Sequence, residues 1–86
     1  MKCLYKEELP EESTETDVRA TIKLMVEIIT GANPGEYVDV RFPRKFYALI
    51  LSRLKYHRRI GIDKNVSCEM HVIQDKIMLE LMRNEN

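Results

Sequence analysis

With 86 residues, 44% of them apolar, the chain can close one modest core and has no room for a second domain. Apolar runs such as Ala48 to Leu51 fall far short of the roughly 20 residues of a spanning helix. Where a secretory signal needs an apolar stretch, Glu7-Glu8-Leu9-Pro10-Glu11-Glu12 stands instead, so residues 1–86 read as one intracellular, cytoplasmic domain outside the membrane.

Formal net charge is zero, but the charges are sorted along the chain. Met1 to Asp39 holds nine acids and four bases, Val40 to Ile62 seven bases and no acid, and Asp63 onward five acids and three bases. A cationic block therefore sits inside an otherwise acidic protein.

The opening Lys2-Cys3-Leu4-Tyr5-Lys6 alternates weakly and permits a short strand over 2–6. Six acids between Glu7 and Asp17, with almost nothing apolar, predict a mobile acidic arm over 7–16. Thr14-Glu15-Thr16-Asp17 has the spacing of a capping box, with Asp in the place of Glu, and starts a helix. Val18, Ile22, Met25, Val26 and Ile29 then recur at steps of three and four and make its core stripe. Gly31-Ala32-Asn33-Pro34-Gly35 supplies a left-handed stop near Thr30.

From Glu36 to Phe42, Val38, Val40 and Phe42 alternate with Tyr37, Asp39 and Arg41, the pattern of a half-buried strand. Pro43 breaks that ladder and opens a second helix, expected from about Arg44 to Arg58. On a helical wheel Phe46, Tyr47, Leu49, Ile50, Leu51, Leu54 and His57 gather on one broad side, facing the sheet. Val66, Cys68, Met70 and Val72 alternate with Ser67, Glu69, His71 and Ile73, and after Gln74-Asp75 the pattern resumes with Ile77, Leu79 and Leu81 against Met78, Glu80 and Met82. Two strands joined by a tight turn fit this better than the rival helix over 75–83. Residues 83–86 read as a polar tail.

The fold class is therefore α+β, a two-layer sandwich with two helices on one face of a small mixed sheet in the order (β)-α-β-α-β-β. The layout resembles Alba-type nucleic-acid binders, the C-terminal domain of translation initiation factor three and TusA-like sulfur carriers. The chain carries none of their motifs, and no residue role is carried across.

No cofactor or metal motif appears. Cys3 and Cys68 read as free thiols, the second a small buried hydrophobe, and neither CxxC nor HxxxH is present. There is no Ser/His/Asp order and no glycine-rich phosphate loop, so an enzyme is not expected. His71 reads as a solvated histidine beside Glu69, and His57 as a residue capping helix packing.

The remaining constellation is the outer side of the second helix. Arg44, Lys45, Lys55 and Arg59 surround Ala48 and Ser52, with Arg53 and Arg58 at the edges and Arg41 on the preceding strand as an extension. Long basic side chains around small residues suit a phosphate backbone. Arg44 and Lys45 stand in a first helical turn, where the macrodipole disfavours cations, and so call for a second reason. Tyr37 and Tyr56 are candidates for base stacking, without an RRM, GxxG or helix-turn-helix signature. The expectation is a small nucleic-acid-binding or nucleic-acid-associated protein that holds phosphates with this helix. The alternatives are a solvated face, a cationic helix paired with its own acidic arm, and an adaptor or inhibitor docking another protein, as suits a viral or mobile-element regulator. Met78, Met82 and Ile73 leave an apolar strip on the outer face of the last strands, which predicts a homodimer through that face or edge.

Overall fold

The computed structural model describes residues 1–85. Seven elements follow one another: β1 (Lys2–Glu8), α1 (Glu15–Thr30), β2 (Glu36–Pro43), a 3-10 turn (Arg44–Phe46), α2 (Tyr47–Ile60), β3 (Val66–Ile73) and β4 (Lys76–Arg83). The strands form one mixed sheet in the order β1-β2-β4-β3, with β1 parallel to β2 and the other neighbours antiparallel. Both helices cover one face, and the expected two-layer α+β sandwich is the architecture observed.

The capping box starts α1 as its sequence dictates. The Asp17 amide donates to Thr14 Oγ1 at 3.1 Å, and the Thr14 amide donates to the Asp17 carboxylate at 2.9 Å. Val18, Ile22, Met25, Val26 and Ile29 are all buried beneath it. They meet Val38, Val40 and Phe42 of β2 and Ile77, Leu79 and Leu81 of β4, all fully buried. The two central strands thus carry the floor of the core, and their period-two pattern keeps every second side chain on the helix side.

Several expectations are corrected. Glu7 and Glu8 belong to β1, where they lie opposite Val40 and Arg41. Leu9 is buried, and its amide donates to the Arg41 carbonyl at 2.8 Å. Backbone pairing with a central strand overrides the poor strand propensity of Glu, and the acidic connection shrinks to residues 10–14. Gly31 is not left-handed, with φ −96°; the left-handed glycine is Gly35, with φ 86°, at the entry to β2. The second helix runs to Ile60 and is preceded by the 3-10 turn. Its buried side is narrower than the wheel suggests: Phe46, Ile50, Leu54 and His57 are buried, while Tyr47 and Leu51 are exposed. Arg83 closes β4 and is half-buried, so it is not part of a polar tail. Asn86 of that expected tail lies outside the described residues.

Candidate nucleic-acid interface

β2 feeds directly into α2 through Pro43 and the 3-10 turn, so the cationic block is laid along one helix. Two of its members are engaged at the N-terminal end. Arg44 Nη1 donates to the Gln74 carbonyl at 3.3 Å, and the Arg44 amide donates to the Asp75 carbonyl at 3.0 Å. Lys45 Nζ donates to the Glu11 carbonyl at 2.7 Å, lies 3.7 Å from the Glu11 carboxylate, and sits 5.3 Å from the Phe46 ring centroid. These contacts supply the structural reason for two cations in an unfavourable first turn. They also realise part of the alternative in which the acidic arm pairs with its own helix, at one residue pair.

Arg53 is half-buried, with its guanidinium 4.6 Å from the Tyr56 ring centroid and its Nε buried without a partner. The stacking occupies one face of Tyr56. Arg58 lies beside the Cys68 thiol; burial raises that thiol's pKa and the guanidinium opposes the rise. Lys55 and Arg59 are exposed, and so is Lys64 in the next loop. Among the described residues the ion pairs involve Arg19, Lys45, His71, Lys76 and Arg83, and none involves Lys55, Arg58 or Arg59. Of the cations carried by α2 itself, the exposed ones without an ion-pair partner among the described residues therefore lie on its C-terminal half.

Arg41 is not among them. It points to the open face of the sheet, opposite the helix layer, between Glu8 of β1 and Met78 of β4. The sequence places it close to Arg44, but strand alternation and the turn at Pro43 put the two on different sides of the molecule.

The open face carries a feature that only register reveals. Asp39 lies opposite Glu80, and Glu80 opposite Glu69, so three carboxylates line up across β2, β4 and β3. Burial raises the Glu80 pKa first, and the neighbouring Asp39 and Glu69 charges add to it. Lys6 lies opposite Asp39 at one end of the row, and His71 Nε2 is 3.3 Å from the Glu69 carboxylate at the other. Each acid is visible in the sequence as an outward strand position; that they are neighbours is not. The molecule thus has a basic helix on one side and an acidic stripe on the other.

Among the described residues no group of three or more His, Cys, Asp or Glu is arranged to hold a metal ion, and no helix is long and apolar enough to cross a membrane. Set beside known protein families, curated proteins and solved structures, the chain matches none of them.

Proposed function

We propose that this chain is an intracellular nucleic-acid-binding protein, acting as a homodimer, that holds backbone phosphates on the C-terminal half of α2. The observation that supports this reading most is the contrast within the basic block: Arg44 and Lys45 are tied into the fold, whereas Lys55 and Arg59 stand exposed and, among the described residues, have no acidic partner. Exposed cations one helical turn apart, at i and i+4, follow the same side of a helix. They contact phosphates without reading bases. The acidic stripe lies on the other side of the sheet, where it repels a polyanion and so favours approach from the helix side.

Titration of labelled duplex and single-stranded oligonucleotides at about 50 and about 200 mM salt tests the reading. Binding that weakens steeply with salt supports it. A folded protein that binds neither strand form at the lower salt ends it.

The acidic stripe with Met78 and Met82 beside it favours a second reading, an adaptor or inhibitor that docks a basic protein surface through the open sheet face. Under that reading Glu80→Lys abolishes recovery of the partner, while nucleic acid is not bound.

A further inference from the structure

The two edges of the sheet are treated differently. β1 presents Lys2 and Lys6 and has an irregular register between Cys3 and Tyr5, devices that blunt an edge against pairing. β3, the other edge, has neither lysine nor proline along Val66–Ile73 and pairs with β4 without a register shift. Its two-residue turn closes on the pair Ile73 and Lys76. Antiparallel alternation from that pair leaves the N–H and C=O groups of Val66, Cys68, Met70 and Val72 pointing away from the sheet.

The same edge is where apolar surface is left over. Val72 and Ile73 are 45% and 50% exposed, and Met70 and Cys68 are only half covered. Arg58 reaches Cys68, and Tyr47 and Leu51 precede Arg58 by eleven and seven residues, which puts all three on one side of α2. The exposed side chains of Tyr47 and Leu51 therefore share the side of α2 from which Arg58 acts on Cys68 of β3.

We propose that β3 is the dimer interface: two copies join their β3 strands antiparallel about a two-fold axis at Met70, making one continuous sheet. Symmetry and charge fix the register. A dyad normal to the sheet keeps both helix layers on one side, so core-face residues must oppose core-face residues. Two such registers keep all but one residue of β3 paired. The one centred on Glu69 sets that carboxylate against its own copy, directly opposed like charges that disfavour pairing. The one centred on Met70 sets His71 of each copy opposite Glu69 of the other, an imidazole N–H facing a carboxylate, twice over. It also sets Cys68 against Val72, and brings the Tyr47 and Leu51 sides of the two α2 helices face to face. The basic halves of both helices then lie on one side of the joined sheet, which doubles the length of the cationic surface.

Sedimentation or light scattering over a range of concentrations gives the first test, with the parent expected to reach twice the mass of the chain. Val72→Lys, a charge placed at an exposed edge position, is expected to weaken the dimer about tenfold or more while leaving the circular dichroism unchanged. Register is read by mild oxidation in a Cys3→Ser, Cys68→Ala background: Met70→Cys is expected to link to its own copy, and Glu69→Cys to remain monomeric on a denaturing gel. A parent that stays monomeric at every concentration overturns the proposal. So does a dimer indifferent to Val72→Lys, or a cross-link at Glu69→Cys and none at Met70→Cys.

Discussion

Arg83, the last residue of β4, donates from Nη1 to both carboxylate oxygens of Asp63, at 2.9 Å to Oδ1 and 2.8 Å to Oδ2. Its other nitrogen, Nη2, donates to the carbonyls of Ile29 at 2.8 Å and Thr30 at 3.2 Å. One guanidinium thus ties the loop after α2 to the end of α1, a helix with no basic residue of its own in the last turn. It satisfies the Thr30 carbonyl at a helix end that leaves such groups open, and adds a donor to the Ile29 carbonyl, which also accepts from the Ala32 amide at 3.2 Å.

Arg83→Ala is expected to cost about 2 kcal/mol, from loss of a charged donor to the helix-end carbonyls. Arg83→Lys recovers only part of this, because a lysine has no planar fork. Urea titration measures both. The Asp63 carboxyl is held below its ordinary pKa, first by the Arg83 hydrogen bond and then by the Asn65 amide. Its contribution is present above the ordinary carboxylate pKa and is lost as pH falls through the lowered one. The Arg83→Ala variant should therefore lose part of the parent's acid sensitivity in that range.

Ile50→Ala is expected to cost about 2 to 5 kcal/mol, since Ile50 is fully buried under α2. Leu51→Ala, one residue on and 37% exposed, should shift monomer stability by about 0.5 kcal/mol or less. Thermal melts of the two, under conditions that keep the protein monomeric, distinguish the narrow buried side of α2 from the broad one that hydropathy suggests.

Most of the architecture is legible in the sequence because it rests on local chemistry. The capping box at Thr14, the alternation in β2 and the Gln74-Asp75 turn each announce themselves within a few residues. What is not legible depends on partners distant along the chain. Glu7 and Glu8 look like loop until β2 supplies hydrogen bonds, and Arg83 looks like a solvated tail until Asp63 and the α1 terminus surround it. The same holds for the candidate site. The basic residues of α2 and the turn before it can be picked out from composition, but only the structure separates Lys45, held by Glu11, from Lys55 and Arg59, which have no ion-pair partner among the described residues, and sends Arg41 to the far side of the sheet.

His57 is buried under α2, and its Nε2 has no partner. Burial lowers its pKa, with the Arg53 and Lys23 charges acting in the same direction. The unfolded chain therefore takes up a proton near the ordinary histidine value before the folded one does, so stability is lost as pH falls from that value toward the lowered one. Melting temperatures at about pH 7.5 and about pH 5 should show this decline, and His57→Leu should flatten it.

Glu80, between Asp39 and Glu69 on the open face, has its pKa raised. Its charged form is the penalised one in the folded state, so acidification through the raised pKa adds stability rather than removing it. Glu80→Gln is expected to stabilise the protein by about 0.5 kcal/mol at neutral pH by breaking the row of like charges. Urea midpoints at neutral pH and near pH 4.5 should show that advantage shrinking as the parent's own Glu80 takes up its proton.

The central claim, that the C-terminal half of α2 holds phosphates, is tested most directly by the salt dependence of oligonucleotide binding in the parent and in a Lys55→Gln, Arg59→Gln double variant. Both residues are exposed, so melting temperature should hardly move, and lost binding cannot be assigned to unfolding. The slope of log affinity against log salt is predicted to fall by about one unit for each contact removed, about two in all for each chain. An unchanged slope in the double variant, or no binding by the folded parent at about 50 mM salt, contradicts the claim.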